Sequence, residues 1–182
     1  MTTENIGTVP HVSDFTQAPE KIIFDLIKAD NPNNGFTEGM VTYGIPTSNE
    51  TDPDGRNTDI TLTSVEGSGI VGSRTVTYRR LRLEGFIKEP DFVLNKRDFT
   101  KLSELIPQIN SELGINITAE DFNEVDLPTF GATPGEEHEV TITFKANSLV
   151  WIGTHVLTVR GDDIDINLVI PVDKLSGLNV PA

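Results

Sequence analysis

Residues 57–83 read NTDITLTSVEGSGIVGSRTVTYRRLRL. Two runs rich in Thr, Val and Ile flank a turn that carries Gly67, Gly69 and Gly72. Ile60 and Leu62 alternate with Thr61 and Thr63, and Val76 and Tyr78 alternate with Thr75 and Thr77. This period of two, interrupted by glycines, predicts a β-hairpin with strands over 57–65 and 73–83. Residues 138–160, HEVTITFKANSLVWIGTHVLTVR, repeat the arrangement. Val140, Ile142, Phe144 and Ala146 share one face, residues 147–153 turn, and residues 154–160 return.

The correspondence extends upstream. Residues 19–30 form the first predicted helix: Pro19 suits the first turn, Glu20 favours the positive end of the dipole, and Ile22, Ile23, Leu26 and Ile27 make an apolar stripe. Asn31-Pro32-Asn33-Asn34-Gly35 stops it. Residues 98–113 form the second, with Asp98 as its cap, a stripe of Leu102, Leu105, Ile106, Ile109 and Leu113, and Gly114 as its stop. Pro107 inside it predicts a kink or a late start. After the first helix, Thr37 caps a short turn before Met40 and Val41; after the second, Thr118 and Asp121 form a capping pattern before Phe122. Thr118 lies 81 residues after Thr37, and Gly153 lies 81 after Gly72. Helix, capped turn, Pro/Gly loop, strand, turn and strand therefore recur in one order, the mark of a duplicated supersecondary unit.

The expected fold is α+β and mostly β, with two tandem helix-plus-hairpin units forming β-sandwich-like sheets. The division runs 1–16, a polar arm or flexible tail; 17–90, the first unit; and 91–182, the second unit with a further strand over 162–172 and a tail. Residues 47–56 read as a polar loop, and 84–96 as a packed linker between units. Each unit is small for an independent core, so the two are expected to pack together or against neighbours.

The chain has 182 residues and a net charge of −14, spread over both halves. No basic stripe is available to neutralise phosphates, which argues against direct nucleic-acid binding, and this charge disfavours an anionic membrane surface. There is no cysteine, so disulfides and thiolate metal sites are excluded. The first 15 residues have no basic region followed by an apolar run, so no signal peptide is expected, and no stretch approaches about 20 apolar residues.

Candidate chemistry is sparse. Asp52, Asp54 and Asp59 cluster oxygens around Gly55, but their spacing departs from a calcium loop, Arg56 opposes a cation, and an acidic turn is the plainer reading. Asp163 and Asp165, beside Asp162, would share a strand face where a cation could bridge them; a solvated edge is again plainer. His11, His138 and His155 have no metal-binding spacing, and no nucleophile or phosphate-loop motif is present. The expectation is no enzyme, no cofactor and no metal. Arg79, Arg80 and Arg82 form the only basic cluster, with Arg80 and Arg82 facing one way and Arg79 the other. They read either as plain surface or as partners for carboxylates of this subunit or the next, which would set docking register.

At the paired hairpins the chain resembles virion structural proteins of large tailed bacteriophages. The resemblance rests on the helix over 22–30 with its Asn/Pro/Gly sequel and the hairpin over 57–78. It rests further on the run Ile109-Asn110-x-x-Leu113-Gly114-Ile115-Asn116-Ile117-Thr118 and the strand pair over 141–159. It covers residues 19–160. It implies a non-enzymatic component built into the particle in many copies, contacting itself and other virion proteins, with tail, baseplate or neck favoured over the capsid surface. The chain departs from the pattern at Leu149-Val150-Trp151, where a more polar turn is usual. These three, with Arg79, Arg80 and Arg82, are the expected interface residues; the other reading of Trp151 is core. The alternative function is a host-surface or carbohydrate-binding adhesin, for which Trp151 is the one good aromatic candidate.

Overall fold

The computed structural model describes residues 14–32, 35–88, 92–131 and 135–161. It is α+β and mostly β, with two helices and two sheets. Helix α1 spans Pro19–Asp30, followed by β1 Val41–Tyr43, β2 Thr47–Ser48, β3 Thr58–Ser64 and β4 Ser73–Tyr78. A 3-10 turn at Leu83–Gly85 leads to β5 Val93–Asn95, helix α2 Leu102–Leu113, β6 Glu137–Thr143 and β7 Thr154–Arg160.

In the first sheet β3 is central. It pairs antiparallel with β4 along its length and with β1 and β2 on its other edge. In the second, β7 pairs antiparallel with β6 and parallel with β5. Residues expected as a polar loop thus include β2, because Thr47 and Ser48 find the free edge of β3 opposite Asp59 and Thr58. Part of the expected linker is β5, whose Leu94 is fully buried. The strand expected over 162–172 lies outside the described residues.

Alternation decides which face is inward. Ile60, Leu62 and Tyr78 are buried with Ile23 of α1 in one small cluster, flanked by Leu26, Ile27, Val41 and Val76. Val140, Ile142, Leu157 and Val159 are buried with Leu102, Leu105, Ile106 and Ile109 of α2 in a larger one. Each helix therefore lays its apolar stripe on the inner face of its own sheet. Ile22 joins the larger cluster while its neighbour Ile23 joins the smaller, so α1 belongs to both.

Helix α2 begins at Leu102, four residues after the expected cap Asp98. The reason is Glu104, whose carboxylate accepts the backbone N–H of Thr100 (2.7 Å) and of Lys101 (2.8 Å). That fixes the first turn just before Leu102. Gly114 ends the helix in the left-handed region at φ 64°, as the sequence predicts.

The two units share backbone hydrogen bonds as well as element order. Met40 N–H donates to the Thr37 carbonyl, as Asp121 N–H does to Thr118. Ser64 and Gly72 are linked by a 2.9 Å bond, as are Phe144 and Gly153. Val65 N–H donates to Met40, as Lys145 N–H does to Asp121. Val41 stands opposite Ser64, as Phe122 does opposite Phe144. The shift is 80 residues on the outgoing strand and 81 on the return, so the second turn is one residue longer. Gly72 and Gly153 occupy equivalent places before the return strand with φ of 98° and 88°, a conformation that favours glycine.

Candidate functional site

The most elaborate site among the described residues is the joint between the units. After β4 the chain continues as Arg79-Arg80-Leu81 and meets the second hairpin turn. Leu81 forms a parallel bridge with Trp151. Its N–H donates to the Val150 carbonyl (2.8 Å), and its own carbonyl accepts from Ile152 N–H (2.9 Å). Tyr78 Oη donates to the Leu149 carbonyl (2.7 Å). Burial pushes the Tyr78 phenol up to about 12, with Arg80 pulling the other way, so it stays a neutral donor near pH 7.

Arg80 is the clamp. It is 5% exposed. Its Nη1 donates to the carbonyls of Ala146 (2.9 Å) and Ser148 (3.2 Å), and its Nε donates to Thr58 Oγ1 (3.0 Å). Asn57 holds the backbone of Arg80 from both sides, accepting its N–H (2.8 Å) and donating to its carbonyl (3.0 Å). Desolvation lowers the guanidinium pKa from its ordinary value, but an arginine starts so high that it remains charged. The expected pairing with a carboxylate is corrected here. The rigid fork of donors meets backbone carbonyls of the second turn, which end in a fixed geometry.

Trp151 is corrected as well. It is 0% exposed and belongs to the core of this chain, not to a surface that could grip a neighbour. Its ring stacks on Phe144 (centroids 5.8 Å) and meets the ring of Phe86 edge-on (5.3 Å), which in turn meets Phe15 (5.1 Å). Val150 is buried for the same reason, and Leu149 is half-buried against both clusters. The apolar turn departs from a polar pattern because Leu81, Leu83 and Phe86 of the first unit close over it. Beneath it, Asp121 accepts from Thr118 N–H (2.9 Å), Thr118 Oγ1 (2.8 Å) and Ser148 Oγ (2.7 Å), so a buried carboxylate is well satisfied.

Arg79 and Arg82 remain exposed. Arg79 donates to the carbonyls of Gly55 (3.0 Å) and Asp54 (3.2 Å), bracing the acidic turn. Arg82 lies against Gly153, where an added Cβ would come within 3.0 Å of Nη1.

The acidic turn is internally paired. Arg56 bridges Asp52 (3.1 Å) and Asp54 (2.5 Å), and Asp59 accepts from Asn49 (3.0 Å) and Thr77 (2.7 Å). Asn49, then Thr77, lower the Asp59 carboxyl from its ordinary value, and the charge of Asp52, within electrostatic reach, works against that lowering. Among the described residues no group of three or more His, Asp or Glu is arranged to hold a metal ion. His138 meets Glu136 (2.9 Å) and His155 meets Glu84 (3.8 Å), well apart in the fold; His11 and Asp162, Asp163 and Asp165 lie outside the described residues. No described helix is long and apolar enough to cross a membrane.

Sequence reasoning missed Arg80 as a clamp and Leu81 as a bridge. A signal was present: an apolar Leu-Val-Trp turn needs a cover, and the odd-even alternation of β4 continues past Tyr78 to Arg80.

Fold and joint define a two-unit β-rich repeat protein whose first unit completes the core of its second. The chain belongs to DUF7941, a family of unknown function whose model matches residues 13–182. No curated protein and no solved structure matches it.

Proposed function

We propose that the protein is a non-enzymatic structural component of a tailed-phage virion, assembling in many copies through contacts with itself and other virion proteins. The reading keeps the tail, baseplate or neck as the preferred place. One observation carries its assembly part: a unit of this fold docks to the next by passing the segment after its hairpin across the neighbour's hairpin turn. That joint uses backbone bonds, apolar side chains and one guanidinium, the ingredients of subunit docking. The resemblance to virion proteins supplies the particle. The adhesin reading loses its main support, because Trp151 is enclosed and offers no platform to a sugar.

Cryo-EM of the assembled particle tests the proposal. Symmetric, multi-copy density into which this fold fits is the expected result. Particles that lack the chain, or an isolated monomer that binds host glycans at micromolar strength, would overturn it.

A further inference from the structure

The joint inside the chain is heterologous: the segment after the hairpin of one unit covers the turn of the other. The equivalent turn of the first unit has no such cover among the described residues. Shifting by 81, Trp151 and Ile152 correspond to Ile70 and Val71. Trp151 is enclosed, whereas Ile70 is 39% and Val71 97% exposed. They border a groove of about 270 Å³ that Ile27, Val41 and Leu62 also line.

The backbone there is unpaired in the same pattern. In the second unit, the Val150 carbonyl and Ile152 N–H bond to Leu81. Their counterparts, the Gly69 carbonyl and Val71 N–H, have no hydrogen bond among the described residues. Ser68 Oγ, counterpart of Ser148 Oγ, is enclosed without a partner among the described residues.

The sequence contains a partly matching segment. Shifting 81–90 by 81 gives 162–171, which keeps an apolar residue for Leu83 (Ile164) and for Ile87 (Leu168) and the proline of Pro90 (Pro171), but has Asp162 for Leu81 and Asn167 for Phe86. Asp162, Asp163 and Asp165 make this segment acidic. Arg74 is exposed on the groove's rim with no ion pair among the described residues. Like-for-like application of the internal joint carries the segment after β7 forward to the next unit in line, not back to the unit before it. A second copy offers that unit with its turn uncovered.

We infer that residues 162–171 of one copy dock on the Ile70–Val71 turn of another, so that chains add head to tail through a repeat of their internal joint. In that register position 162 answers to Leu81 and position 164 to Leu83. Gly161 stands where Arg80 would, so this joint lacks the guanidinium clamp and is weaker than the internal one. A heterologous contact of this kind gives rings where its rotation closes and filaments where it does not. The inference rests on the assembly reading above but not on the virion placement.

The test uses the full chain and two variants, Val71→Asp and Ile164→Asp, followed by sedimentation velocity over a concentration series into the high-micromolar range. Wild type associates with rising concentration. Each variant alone associates at least about tenfold more weakly, since a charge then faces an apolar contact. Mixed together, the variants form a one-to-one dimer and nothing larger, because each retains one intact half of the joint. Circular dichroism of Val71→Asp stays native, as that side chain is free of the core. Three results would overturn the inference: a wild type monomeric throughout, variants that assemble like wild type, or no heterodimer on mixing. So would hydrogen-exchange protection at 162–168 in wild type diluted to monomer that Val71→Asp removes, which would place the chain's own segment in the groove. Particle density lacking the protein would sink the virion placement and leave this solution result standing.

Discussion

In the second unit, Phe122, Ile142, Phe144 and Trp151 are closed over by Leu81, Leu83 and Phe86. In the first, the corresponding Val41, Leu62, Ser64 and Ile70 border an open groove. Both units have the same helix, the same capped turn and the same hairpin bonds. What differs is the size of the side chains on that inner face and whether another segment covers them. The second unit carries aromatics where the first carries Val, Ser and Ile, and its cluster recruits residues from both halves of the chain. A duplicated backbone plan has thus been given two jobs. One copy is completed internally, and the other keeps its turn accessible.

The contrast breaks most severely at Trp151. Trp151→Ala empties a fully enclosed site between Phe144 and Phe86, and an aromatic deletion there costs about 3–5 kcal/mol. Chemical denaturation of the monomer reads this directly. The counterpart Ile70→Ala leaves stability within about 0.5 kcal/mol, as a substitution at an exposed position does. Equal losses at the two sites would mean that the first turn is also covered.

Arg80 is next. Arg80→Met keeps the aliphatic stem but leaves the Ala146 and Ser148 carbonyls and Thr58 Oγ1 without their donor. Stranding buried acceptors costs about 1–3 kcal/mol. Arg80→Lys recovers only part of that, because a single ammonium does not reproduce the fork. Equal stability of Arg80→Lys and wild type in urea titrations would show that the geometry of the clamp is unimportant.

A pair of glycine substitutions sharpens the comparison at matched backbone. Gly72→Ala places a side chain at φ 98° in open space, and costs about 1 kcal/mol for the left-handed conformation alone. Gly153→Ala adds a close approach to Arg82 at 3.0 Å, so its thermal midpoint falls further. The reverse order would mean that Arg82 moves aside without loss.

The smallest expected effect separates the helices. Backbone N–H bonds from Thr100, then Lys101, hold the Glu104 carboxyl below its ordinary value. A carboxylate with a lowered folded-state pKa contributes stability that is fully present above the ordinary carboxylate range. That contribution fades as pH falls through the lowered value. Glu104→Gln therefore flattens the acid limb of the stability curve, whereas α1, which begins at Pro19 with no side-chain cap, has no such limb to lose. Thermal melts of both proteins from neutral to acid pH check this; superimposable curves would exclude Glu104 as the cap.

Much of this architecture was legible from residues alone. Period-two Thr/Val/Ile runs located β3, β4, β6 and β7, and Gly72 and Gly153 marked turns because only glycine takes that conformation without strain. The helix stripes at Ile22 and Ile23, and at Leu105 and Ile106, were equally plain, and the 81-residue spacing exposed the duplication. All of these depend on neighbours within a few positions. The short strands β2 and β5 were not legible, because each exists only where a distant strand offers an edge.

The sequence by itself determined that this is a duplicated helix-plus-hairpin chain, since periodicity, capping and turn chemistry are local properties that every copy of the pattern must satisfy. Only the tertiary structure decided that Trp151 is core, that Arg80 clamps a turn some 66 to 68 residues away, and that one hairpin turn is covered while its twin is open. Those outcomes turn on which segment lands on which surface, and a residue's burial is set by its partners rather than by its own place in the pattern.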